Sequence, residues 1–100
     1  MVYIYYHVLS IGDYKSQMKS YFDEAKRFGV TSIVQKRNQP EYFMEVMSGN
    51  TDVGAQLKEL SDLRKRMGID KLFLNRKIHV EIFDNLLDVG EDGTTKVTEI

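Results

Sequence analysis

Residues 2–8, Val-Tyr-Ile-Tyr-Tyr-His-Val, alternate as a β-strand does, yet neither side of the alternation is suited to water. Val2, Ile4, Tyr6 and Val8 share one face, and Tyr3, Tyr5 and His7 share the other. The aliphatic face calls for packed helices, and the aromatic face calls for cover of a different kind. Lys77–Phe83 repeats the arrangement, with Ile78, Val80 and Ile82 opposed to His79, Glu81 and Phe83. Any fold for this chain must accommodate two such two-faced strands.

The residues between them read as two helices and a hairpin. Asp13 is a candidate N-cap, after which Tyr14, Met18, Tyr21, Phe22, Ala25 and Phe28 recur at helical spacing, and Gly29 stands where a helix ends. Thr31–Arg37 and Tyr42–Met47 are β-rich and flank a turn signal, Asn38-Gln39-Pro40-Glu41. Asn50 or Thr51 is placed to cap a second helix with the stripe Val53, Leu57, Leu60, Leu63 and Met67, closed by Gly68. The order β-α-β-β-α-β predicts an α+β fold of ferredoxin-like type, with a four-stranded antiparallel sheet and both helices on one face. In that topology the first strand borders the third and the last.

Residues 1–84 form this expected domain, and 85–100 form a C-terminal tail or a short extra hairpin turning at Glu91-Asp92-Gly93. Ile69–Leu74 shows no period, but Leu72, Phe73 and Leu74 are too apolar for a solvated loop, so the segment is expected to pack, with Phe73 as its anchor. A chain of 100 residues is one domain with room for one core. The absence of cysteine excludes disulfides, thiolate metal sites and Cys nucleophiles.

A net charge of −1 sets up no global field for nucleic acid or anionic lipid. Lys58–Lys77 holds seven basic residues against three acids and reads as a solvated helix end. The apolar opening has no basic residue before it and falls short of a membrane span, so a cytoplasmic location without a membrane partner is the expectation.

On the helix-free face the alternation places Tyr3, Tyr5, His7, His79, Glu81 and Phe83, and Phe43, Glu45 and Met47 are assigned to it from the third strand. The register envisaged sets His7 across from His79 and Tyr5 between Glu45 and Glu81. Such a face is too apolar for solvent and too polar for a dry core. A second copy facing it across a cavity satisfies both demands, which makes a homodimeric barrel the expected assembly. Tyr3, Tyr5, His7, Glu45, His79 and Glu81 are the candidate pocket residues. A His beside a carboxylate can serve as a general base, and two His with one carboxylate can hold a divalent metal. Hydrogen-bonded partners lining a wet interface are the reading preferred here, and no metal or cofactor is assigned.

The order of elements and the half-polar open sheet resemble the dimeric α+β barrel superfamily. More closely, Tyr3-Ile4-Tyr5-Tyr6, Phe43-Met44-Glu45-Val46 and His79-Val80-Glu81-Ile82-Phe83 are similar to a family of small uncharacterised bacterial proteins, a domain of unknown function, over about residues 2–83. The resemblance implies a fold and dimerisation but no activity. Haem-degrading members of the superfamily carry an axial His on the second helix, where this chain has none, and the tryptophans of several monooxygenase pockets are absent.

Two other motifs are set aside. Asp88–Glu99 mimics a calcium loop, but it has Gly90 at the third position, Lys96 at the ninth and no room for an exiting helix. Val2-Tyr3-Ile4 with Phe43 resembles an RNA-recognition platform, but Glu45 and Glu81 would repel phosphate and the basic third-strand motif is missing. The expected function is a binding or regulatory module whose open sheet face serves homodimer assembly. The alternative is a cofactor-free small-molecule enzyme or ligand carrier using a His/Glu/Tyr-lined cavity.

Overall fold

In the computed structural model, which describes residues 1–98, the opening alternation forms β1 (Val2–His7) at an inner position of a sheet. The chain continues through α1 (Ile11–Ala25), β2 (Val30–Gln35), β3 (Tyr42–Met47), α2 (Val53–Met67) and β4 (His79–Ile82). The four strands are antiparallel in the order β2-β3-β1-β4, so β1 lies between β3 and β4. A separate hairpin of β5 (Leu87–Val89) and β6 (Thr95–Val97) follows, with Gly93 in its turn at φ 83°. Glu99, the last position of the calcium-like run, and Ile100, the end of the expected tail, lie outside the described residues.

Local chemistry sets the helix boundaries, with one shift at each start. The cap of α1 is Ser10, whose Oγ accepts from the Asp13 N–H at 3.2 Å, so the helix begins before Asp13. The cap of α2 is Asp52, whose Oδ1 accepts from the Ala55 N–H at 2.9 Å, while Asn50 Oδ1 accepts from the Asp52 N–H. After a short 3-10 turn, Gly29 leaves α1 at φ 96°, and a Cβ there would lie 2.7 Å from both Gln56 Nε2 and the Ser48 carbonyl oxygen. Glycine is required at this position by backbone angle and by space alike.

One core holds the layers together. Val2, Ile4, Tyr6 and Val8 from the first strand region pack with Tyr14, Tyr21 and Ala25 of α1 and Leu60 and Leu63 of α2, which puts both helices on one face. Ile69 and Phe73 close the end of this core, in a connection of two 3-10 turns, Ile69–Leu72 and Leu74–Arg76. Phe73 stacks on Tyr6 with ring centroids 4.0 Å apart, and the Leu9 N–H donates to the Leu72 carbonyl. The packing expected of this segment is present at Phe73, whereas Leu74 is left 40% exposed.

Two face assignments are corrected. Phe43, Glu45 and Met47 lie on the helix side, because β3 pairs in a register that puts Glu45 directly across from Ile4, Met47 from Val2 and Phe43 from Tyr6. Tyr42, Met44 and Val46 take the open face instead. Both faces of β3 are largely apolar, and its one charged residue, Glu45, is buried between Phe43 and Met47 on the helix side. The second correction concerns β4. Val80 and Ile82 do sit across from the core residues Ile4 and Val2, yet they remain 39% and 60% exposed, because β4 is an edge strand that the two helices do not cover.

Candidate functional site

The helix-free face carries five of the six candidate residues, arranged differently from the envisaged register. Tyr5 stands across from His79 and stacks on its ring at 5.0 Å with a 14° tilt, while its hydroxyl donates to Glu81 Oε1 at 2.9 Å. That hydrogen bond, together with some desolvation and the Glu81 charge, holds the Tyr5 hydroxyl above the usual phenol range. Tyr3 stands across from Glu81 and meets Phe83 edge-on at 5.5 Å. His7 faces Tyr42 across the ladder, with rings 4.8 Å apart, and so the expected His7–His79 pair does not form. The β1–β4 register is shifted by two residues from the expectation, which preserves the face of each side chain there and changes its neighbours, whereas the one-residue shift between β1 and β3 is what moves Glu45 to the other face.

A depression of about 480 Å³ lies towards the β2–β3 side of this face. Tyr5, Val34, Tyr42 and Met44 line it, with Lys36 above the Tyr42 ring at 5.8 Å. His7, His79 and Glu81 are not part of its lining. Among the described residues no group of three or more His, Asp and Glu lies close enough to hold a metal ion.

The sixth candidate, Glu45, belongs to a buried polar network on the opposite side of the sheet. Its Oε2 accepts from the Tyr6 hydroxyl at 2.8 Å and from Arg64 Nε at 3.3 Å. Its Oε1 accepts from the Tyr21 hydroxyl at 2.7 Å and from the second guanidinium arm of Arg64 at 3.0 Å. Tyr6 gives its one proton to Glu45, so Tyr14, bonded to the Tyr6 oxygen, is the donor of that pair. Burial pushes Tyr6, Tyr14 and Tyr21 far above the usual phenol range, and the Glu45 charge adds to the rise in each. Burial opposes the Arg64 charge, but the Glu45 carboxylate and Tyr21 outweigh it and hold the guanidinium more firmly protonated. Each carboxylate oxygen thus has two donors, which is the condition under which a buried charge pair is tolerated.

Arg64 and the tyrosine hydroxyls were missed as partners, although the sequence carries a signal for both. Arg64 follows Leu60 by four residues and so shares the buried stripe of α2, despite lying in a basic run. Tyr14 and Tyr21 are two turns apart on the core stripe of α1, and a buried phenol needs an acceptor. Glu45 is the acceptor within reach. Gln56, four residues before Leu60, obeys the same spacing and ties α2 to the Phe28 and Ser48 carbonyls.

Comparison with protein-family models, with curated proteins and with solved structures finds no match for this chain. No helix among the described residues is long and apolar enough to cross a membrane.

Proposed function

We infer that the protein is a homodimeric binding module of ferredoxin-like, dimeric α+β barrel type, akin to the small bacterial family its motifs resemble, with the helix-free sheet face as its assembly surface. The order β4-β1-β3-β2 with both helices on one side supports the fold reading. The observation that carries the assembly reading is the pairing of a knob and a depression on one face. Phe83 is 54% exposed at the β4 side, and the aromatic-lined depression sits at the β2–β3 side. Phe83 is level with Met1 at one end of β1, and the depression is level with Tyr5–His7 towards the other, so a twofold axis in the plane of the interface and oblique to the strands brings the two together. Each Phe83 then meets the partner's depression, an isologous contact in which the same patch serves both copies.

The face also carries opposite charges, Glu81 on β4 and Lys36 beside the depression. The enzyme or carrier reading calls for a cavity reaching both imidazoles, and the depression reaches neither. Sedimentation equilibrium at micromolar concentration should give twice the chain mass, and Tyr5→Lys should shift the protein towards monomer by placing a charge in the interface. A monomer that persists at high concentration would overturn the assembly reading.

A further inference from the structure

A cleft of about 290 Å³ on the helix side of the sheet is untouched by the assembly reading. Arg64, Lys65, Arg76, Asp70, Phe73 and Ile78 line it. Its volume sits at the lower bound of small-molecule sites, which run ~300–1,000 Å³. Asp70 is the anomaly: its Oδ1 is buried and has no hydrogen-bond partner. Among the described residues no cation lies within ion-pair distance of Asp70, although three line the same cleft. A buried carboxylate oxygen left without a donor is costly unless something supplies one.

The cationic side has two unusual features. Arg64 is fixed by the Glu45 network, which leaves it 3% exposed with both bonded nitrogens turned to the carboxylate. Arg76 is the second of two consecutive non-glycine residues in the left-handed region, Asn75 at φ 56° and Arg76 at φ 51°. Asparagine adopts that conformation readily and arginine does not. Strained backbone of this kind collects at ligand sites.

We propose that this cleft binds a small α-amino acid with an aliphatic side chain. The ligand's carboxylate is received by the Arg76 and Lys65 cations, its ammonium supplies the donor that Asp70 lacks, and its side chain lies against Phe73 and Ile78. The three chemistries of the lining match the three parts of such a ligand. A simple anion would leave Asp70 without a partner, and a simple amine would leave the cations facing solvent.

Titration calorimetry on the full chain with leucine, 4-methylpentanoate and 3-methylbutylamine separates these cases. Leucine is expected to bind at least about tenfold more tightly than either the acid or the amine that lacks one charge. Arg76→Gln and Asp70→Asn should each weaken leucine binding by about tenfold or more. Lys65→Gln, in the exposed last turn of α2, gives a milder loss and a check should Asp70→Asn fail to fold. The proposal is overturned if valine, leucine and isoleucine all fail to bind at about 10 mM, if 4-methylpentanoate binds as well as leucine, or if Arg76→Gln leaves binding unchanged. None of these outcomes depends on the oligomeric state.

Discussion

Glu45 is the residue on which the interior depends. It is fully buried, with four donors converging on its two oxygens. Glu45→Gln keeps the volume but turns an amide NH2 towards the donor-only Arg64 guanidinium or the tyrosine hydroxyls, and it leaves Arg64 as an unpaired buried cation. Breaking a buried pair from one side costs about 3–5 kcal/mol, and that loss should appear in urea unfolding. Combining it with Arg64→Met should cost less than the two single changes together, because the second removes the stranded charge. Additive effects would mean the pair is not coupled.

The tyrosines supply a pH signature. Tyr6, Tyr14 and Tyr21 are held protonated far above the ordinary phenol range, so their folded pKa values exceed the unfolded ones. Stability from such groups is complete below the unfolded value of ~10 and falls as pH rises beyond it, because the unfolded chain then releases protons that the folded chain keeps. Well above pH 10 the slope approaches about 1.4 kcal/mol per pH unit for each tyrosine. Absorbance of phenolate should therefore show these three tyrosines ionising only with unfolding. Six tyrosines titrating together before any loss of structure would contradict the network.

At the scale of elements, the order and type of the four sheet strands and two helices were legible, because Gly29, Pro40 and Gly68 mark their ends and the apolar spacing changes between them. The face of β3 was not. Its residues alternate Tyr, Met and Val against Phe, Glu and Met, so the pattern carries no contrast, and placing the carboxylate outward is the ordinary rule. What reverses it is tertiary: tyrosines and an arginine from both helices converge where Glu45 points. For the candidate site the alternation of β1 and β4 was enough to put Tyr3, Tyr5, His7, His79 and Glu81 on one face. The register was beyond reach, since β1 and β4 are joined by no tight turn that would fix it.

The connection after α2 is where an irregular sequence proved to be structural. Phe73 is 1% exposed and lies against Tyr6, so its ring both closes the core and supports the network behind it. Phe73→Ala should cost about 3–5 kcal/mol, and thermal or urea unfolding would register that loss. A variant as stable as the parent would mean that the ring is not a core element.

For the whole molecule, stability and assembly should be separable. The core ends before Phe83, which keeps its backbone in place through an N–H donated to the Met1 carbonyl and leaves its ring 54% exposed against Tyr3. Truncating this ring removes little that the isolated chain has buried. In the proposed dimer the same ring fills the partner's depression, twice per assembly by symmetry, and an aromatic anchor in a pocket is a typical hot spot worth ~2 kcal/mol or more. With two such contacts, Phe83→Ala should therefore raise the dimer Kd by roughly a thousandfold while leaving the unfolding of the monomer, followed at low concentration, close to that of the parent. Val34→Asp, which alters the opposite end of the contact from a position 42% exposed, should give the same pattern. If Phe83→Ala lowers monomer stability and leaves the dimer Kd unchanged, Phe83 belongs to the fold rather than the interface, and the knob-and-depression geometry is wrong.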